Sequence, residues 1–145
     1  MTALDDVDRA ILEELRRDAR TSMTAIAETV HISRAGAHAR IKRLTDAGVI
    51  TGYTVRTDPV LLGHHASAYV MLSLEQPSWQ EVQERLQRIP EVEHMALVGG
   101  DFDVILLVRA GDARDLRRIV LEEIQSIPAV RSSRTTLIFE DFARV

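Results

Sequence analysis

Apolar positions recur with helical spacing through the first third of the chain and alternate with a period of two through much of the rest. Leu4, Val7, Ile11 and Leu15 stand at i, i+3, i+7 and i+11, one stripe of an amphipathic helix whose Asp-rich start suits the positive end of the helix dipole. Met23, Ile26, Ala27 and Val30 predict a second, short helix over 22–30, with Thr21 or Ser22 as its N-cap. His31 and Ile32 then form a tight connection to Ser33, a second capping residue. A third helix carries Ala37, Ile41 and Leu44 on one face and ends at Gly48, placed for a left-handed C-terminal cap. A short helix, a tight turn and a longer basic helix make a helix-turn-helix. The segment VITGYTVRTDP predicts a two-stranded wing around Gly52, closed by Asp58-Pro59.

From residue 66 the period changes. Ala66, Ala68, Val70, Leu72 and Leu74 alternate with Ser67, Tyr69, Met71 and Ser73, as in a strand. Pro77-Ser78 opens a helix with Trp79, Val82, Leu86 and Ile89 on one face, and Pro90 stops it. Strands follow over 92–98 and 102–109, hinged at Gly99-Gly100-Asp101. Asp112 caps a helix with Leu116, Ile119, Val120, Ile124 and Ile127 on one side, and a last strand spans 130–139. The order fits a ferredoxin-like βαββαβ unit with both helices on one face of an antiparallel sheet. In VILLV, residues 104–108, both strand faces are apolar, although the helices can cover only one. The other face calls for a partner subunit, and so for an obligate dimer through the sheet.

The fold class is therefore α+β: a winged helix-turn-helix over 1–58, a linker over 59–65 and a ferredoxin-like domain over 66–145. The absence of cysteine excludes disulfide frameworks, cysteine-based metal sites and thiol catalysis. The longest stretch free of formal charge, residues 59–74, contains proline, glycine and two histidines and is too short to span a membrane. The N-terminus is acidic where a signal peptide is basic, so a cytoplasmic protein without a membrane partner is expected.

The net charge of −4 speaks at first against a polyanion partner. Resolved along the chain, residues 1–62 are neutral, and the deficit lies in 63–145. Between Thr29 and Thr45 there is no acid, and Arg34, Arg40, Lys42 and Arg43 supply four positive charges. Such a segment binds a polyanion locally whatever the total charge, though a solvated helix face has the same composition. On the side of the third helix away from its apolar stripe, Ala35, Gly36 and Ala39 permit close approach to a groove. Arg34 and His38 flank that small patch and reach base edges. Lys42, Arg43 and, in the wing, Arg56 suit phosphates of double-stranded DNA. Ser33 starts the helix.

Residues 4–55 resemble the winged-helix domain of the Lrp/AsnC (leucine-responsive, feast-famine) family of prokaryotic transcription regulators. The likeness rests on Leu4-Asp5, Asp8, Ile11-Leu12, Leu15, Arg20, Ile26-Ala27, Ser33, Arg40-Ile41, Arg43-Leu44, Gly48, Ile50 and Gly52-Tyr53, and continues to the C-terminus. His31 departs from the glycine usual in the family's turn; histidine tolerates left-handed backbone better than most residues. The resemblance implies that the second domain assembles homodimers, often octamers, and binds a small effector, commonly an amino acid. Gly99, Gly100, Asp101, Phe102 and Asp103 match the family's Gly-x-aromatic-Asp loop at the effector cleft between dimers. Gly100 can expose backbone amides to a carboxylate and Asp103 can pair with an ammonium, with Thr135 and Thr136 adding hydroxyls. A tight hairpin with solvated acids explains the same residues, and the family resemblance favours the site. Ala129 stands where the family often has glycine.

Enzyme readings find little support. The chain lacks a Walker loop, a GxGxxG after a strand and a GxSxG, and its five histidines show no HxH or HxxxH pair. Neither catalytic residues, a metal site nor a cofactor is expected. A sirohaem-decarboxylase-like enzyme on the same two-domain frame is the alternative, with His94 on a strand as its candidate. The basic, small-faced third helix has no purpose in such an enzyme.

Overall fold

The computed structural model describes residues 3–75 and 79–142, and Pro77-Ser78, expected to open a helix, lie outside them. The chain divides into two compact units, one of residues up to Arg56 and one spanning Thr57–Phe142.

In the first unit, α1 (Asp6–Arg17) starts in a capping box. The Asp8 N–H donates to Asp5 Oδ1 at 2.8 Å, and the Asp5 N–H donates to Asp8 Oδ2 at 3.2 Å. Ser22 caps α2 (Met23–Thr29) by accepting from the Ala25 N–H at 3.2 Å. Ser33 caps α3 (Arg34–Asp46) by accepting from the Gly36 N–H at 3.0 Å. Between α2 and α3 the chain turns through His31, whose φ of 56° is left-handed, and the Ile32 N–H closes the turn onto Ala27 O at 2.9 Å. Gly48, at φ 69°, ends the α3 segment, and the Val49 and Ile50 N–H groups both reach Leu44 O. Ile11, Leu15, Ile26, Ala27 and Ala37 form the core. Burying each large aliphatic side chain contributes about 1.5–3 kcal/mol.

The expected wing is not present as a hairpin: residues 51–58 belong to no strand and all are exposed. Gly52 does not adopt the left-handed backbone of a tight turn, and beyond Ile50, which packs against the helical core, the segment buries no apolar face that would support a two-stranded ribbon.

In the second unit, β1 (Ala66–Leu74), β2 (Val92–Leu97), β3 (Val104–Ala110) and β4 (Val130–Ile138) form one antiparallel sheet ordered β2-β3-β1-β4. Ala68, Val70, Leu72, Val104, Leu106 and Val108 are fully buried on one face. They pack with Val82 and Leu86 of α4 (Trp79–Leu86), Leu116 of α5 (Ala113–Arg118), and Ile119 and Ile124 of the π-helical stretch that follows it (Ile119–Ile124). Asp112 caps α5 by accepting from the Asp115 N–H at 2.8 Å. This is the ferredoxin-like arrangement expected from the pattern. The opposite face presents Ser67, Tyr69, Met71, Ile105, Leu107 and Arg109, by alternation and by their pairing across β1 and β3. Tyr69 is exposed there, and Ile105 and Leu107 are half-buried.

The stretch 59–65, expected as a linker, is structured with this unit. Asp58 Oδ1 accepts from the Val60 N–H at 2.8 Å, the His64 N–H donates to Pro59 O at 2.8 Å, and the His65 N–H donates to Gly111 O at 3.3 Å.

Candidate functional site

The outward side of α3 carries the residues singled out from the sequence. Ser33, Arg34, Ala35, His38, Ala39 and Lys42 are all exposed, whereas Ala37 and Leu44 on the opposite side are fully buried. Ser33 fixes where the helix begins, and Arg34 lies in its first turn. Among the described residues no carboxylate lies within ion-pair distance of Arg34. The Lys42 ammonium bonds Asp46 at 2.6 Å one turn on, an exposed pair of little strength that a phosphate can displace. Arg56 is exposed in the irregular segment beyond α3.

Arg43 is differently placed. Its Nη2 donates to Asp8 Oδ1 at 2.7 Å and to Asp8 Oδ2 at 2.6 Å. Arg40, one turn earlier, donates through Nη1 to Asp8 Oδ1 at 2.8 Å and to Asp5 Oδ2 at 2.6 Å. The Asp8 side chain is only 1% exposed. Burial opposes its charge, but the hydrogen bonds from Arg43, Arg40 and the Asp5 backbone outweigh it and hold the carboxyl down at about 2. Two of the four positive charges of the basic segment are thus matched by carboxylates of α1 and its cap, beside the exposed Lys42–Asp46 pair. Sequence spacing missed this because Asp8 and Arg43 are 35 residues apart; the i, i+3 repeat of arginine at 40 and 43 was the available signal.

In the second unit, Gly99–Asp103 joins β2 to β3. Gly100, at φ 129°, adopts backbone open to glycine, and Gly99, Gly100 and Asp101 are exposed. Asp103 is half-buried, and its Oδ2 accepts from the Leu74 N–H at 2.7 Å, so this oxygen is committed to the end of β1. The Phe102 ring lies under Arg134 of β4, with the guanidinium carbon 5.2 Å from the ring centroid. Arg134 was not anticipated, although alternation along β4 places it on the face shared by Thr136.

Thr135 and Thr136, expected to act together, are on opposite faces. Thr135 pairs with Val70 of the core face and Thr136 with Tyr69 of the uncovered face, because successive side chains of a strand alternate. Clefts of about 460 Å³ along α5 and about 170 Å³ beside Pro59, His64 and Pro90 are not lined by residues of the loop. His94 is exposed on β2 opposite Leu107, and among the described residues no group of three His, Asp or Glu side chains is disposed to hold a metal ion. No helix of the described residues is long and apolar enough to cross a membrane.

A helix-turn-helix with an exposed, capped basic helix, followed by a ferredoxin-like domain with a glycine loop, defines a two-domain DNA-binding regulator. The profile described as winged helix-turn-helix DNA-binding matches residues 4–51, and that of the Lrp/AsnC ligand binding domain matches residues 67–144. The chain belongs to the Lrp/AsnC family and is a transcriptional regulator with a DNA-binding and a ligand-binding domain.

It is 36% identical over 141 residues to the HTH-type transcriptional regulator LrpA of Mycobacterium tuberculosis, covering 97% of this chain and 93% of that protein. It is 37% identical over 140 residues to AldR of the same organism, covering 94% and 78%. Among solved structures, a feast or famine regulatory protein of M. tuberculosis complexed with L-methionine superposes with a TM-score of 0.89 at 36% identity, covering 98% of this chain and 96% of that one. These relatives are named as transcriptional regulators, which gives the sirohaem-decarboxylase-like alternative no support.

Proposed function

We propose that a dimer of this protein inserts its two α3 helices into successive major grooves of a roughly palindromic site. The observation that carries this reading is the exposed face of α3, where Arg34 and His38 flank Ala35 and Ala39 on a helix fixed by the Ser33 cap. Arg34 and His38 read base edges, the two alanines allow close approach, and Lys42 and Arg56 contact phosphates. Arg43, assigned to phosphates from the sequence, leaves that set because its guanidinium faces Asp8. The functional division is 1–58 for DNA, 59–65 as the connection and 66–145 for assembly and effector.

The partner subunit covers the sheet face of Tyr69, Met71, Ile105 and Leu107, and dimers associate further into octamers. An amino acid binds at Gly99–Asp103, by its carboxylate to the loop amides and by its ammonium to the Asp103 oxygen that Leu74 does not hold. The complex of a relative with L-methionine supports this class of effector. Ligand binding and assembly then bias one equilibrium. The protein works without a cofactor, in the cytoplasm.

Gel-shift titration on DNA upstream of the protein's own gene, at several salt concentrations, tests the DNA reading. Two phosphate contacts per subunit, about four per dimer, require log K to fall steeply with log salt; absent or salt-independent binding refutes it.

A further inference from the structure

Asp8 is the one charged residue buried among the described residues, and both arginines it holds belong to the helix with the base-reading face. Arg40 and Arg43 stand one turn apart on α3 and converge on a single carboxylate, and Arg40 also bonds Asp5, the residue that caps α1. Four side chains therefore tie the first turn of α1 to the middle of α3. The apolar contacts beneath α3 come from Ala37 and Leu44, fully buried, and from Ile41, which packs partly buried against the core. Hydrophobic burial is non-directional, whereas a guanidinium offers donors in a fixed plane. Two such groups at i and i+3 fix the rotation of α3 about its own axis.

Rotation matters for base reading. A turn of about 20° moves side-chain tips about 6 Å from a helix axis by about 2 Å, enough to break a hydrogen bond to a base edge. The same pairing takes positive charge away from the surface: Arg40 is 30% exposed and Arg43 42%, yet each has a terminal nitrogen on Asp8.

We propose that Asp8 is a positioning residue of the DNA-reading helix, holding Arg40 and Arg43 away from phosphates so that α3 discriminates sequence at the expense of non-specific affinity. This rests on α3 being the helix that enters the groove.

The test uses the full chain and two probes: a duplex that the wild type selects from a random-sequence pool, and the unselected pool. Affinities for both are measured over a range of KCl. Asp8→Asn lowers the selected-to-unselected ratio by about tenfold or more, as loss of a base contact does. It also steepens the salt dependence on the pool, because the released arginines reach phosphates at about 0.9 per contact. Arg43→Gln lowers the ratio and leaves the pool's salt dependence unchanged. The proposal is overturned if Arg43→Gln instead flattens that dependence by about 0.9 per subunit with the ratio intact, since Arg43 is then an ordinary phosphate contact. It is overturned equally if Asp8→Asn leaves the ratio unchanged. Circular dichroism establishes that each variant is folded; if Asp8→Asn is not, Arg43→Gln, at a partly exposed position, decides alone. Arg34→Ala separates the two ideas: an unchanged ratio there refutes the groove assignment itself and the proposal with it.

Discussion

The carboxylate of Asp8 and the guanidinium of Arg43 meet at 2.6 Å between α1 and α3, joining residues from opposite ends of the three-helix unit. A pair this close with one partner buried is an electrostatic latch. Its consequences extend from acid stability to the mode of DNA reading.

The acid limb of the stability curve reports this latch. Asp8 titrates at about 2 in the folded chain against 3.8 for an ordinary aspartate. The unfolded chain therefore binds the proton first, so the stability Asp8 contributes is full above about pH 4 and is lost as pH falls through 2. Asp5, held low by the Arg40 hydrogen bond, works in the same direction. Thermal unfolding followed from pH 5 to pH 2 should show a falling midpoint in the wild type and a shallower fall in Asp8→Asn.

His31 occupies left-handed backbone at φ 56°, which costs a non-glycine residue about 1–2 kcal/mol. Glycine there gives back roughly 0.5–1 kcal/mol through the extra entropy of the unfolded chain. His31→Gly is expected to stabilise the unit by about 0.5 kcal/mol, read as a higher urea midpoint with an unchanged slope. A lower midpoint means that the imidazole itself makes a stabilising contact.

The strand register separates two neighbouring threonines. Thr136 shares the uncovered face with Arg134, and Thr135 lies on the other. In a thermal-shift screen over the amino acids, Thr136→Val should reduce the ligand-induced rise and Thr135→Val should leave it near wild type. Equal effects would show that the hydroxyl set was wrongly assigned. In the same screen Asp103→Ala loses the ligand response and keeps DNA affinity. It also lowers the baseline by about 1–2 kcal/mol, because the Leu74 N–H loses its acceptor.

Leu107 probes the sheet face. It is half-buried beside Tyr69, its partner across the β1–β3 ladder. A charge placed there is compatible with a solvated face and not with a buried one. Leu107→Asp should shift the protein to a smaller species in sedimentation velocity, and an unchanged species would exclude this face as the dimer contact.

The elements themselves were written in local pattern. Ser22, Ser33, Gly48 and Asp112 each act at the helix end where their chemistry had placed them. The alternation of Ala68, Val70 and Leu72 chose the core face of β1 without reference to any partner. Caps and periodicities are local: the side chain and the backbone group it satisfies lie within four residues, so the sequence alone determined them. It also determined the family, through motif spacings that extend along nearly the whole chain.

The wing and the roles of individual charges were decided by tertiary structure. A β-rich segment such as residues 49–58 becomes a ladder only where pairing and a buried face are supplied together, and residues 51–58 are exposed and belong to no strand. A run of like charge gives the field of a segment but not the destination of each side chain. Lys42 and Arg43 were read alike, as phosphate contacts, yet one pairs with exposed Asp46 and the other turns onto buried Asp8. Likewise Asp103 looked free to bind a ligand until the fold brought the Leu74 N–H to one of its oxygens. Pairing across tens of residues depends on which helix faces meet and how the strands register, and only the folded chain brings those groups within 3 Å.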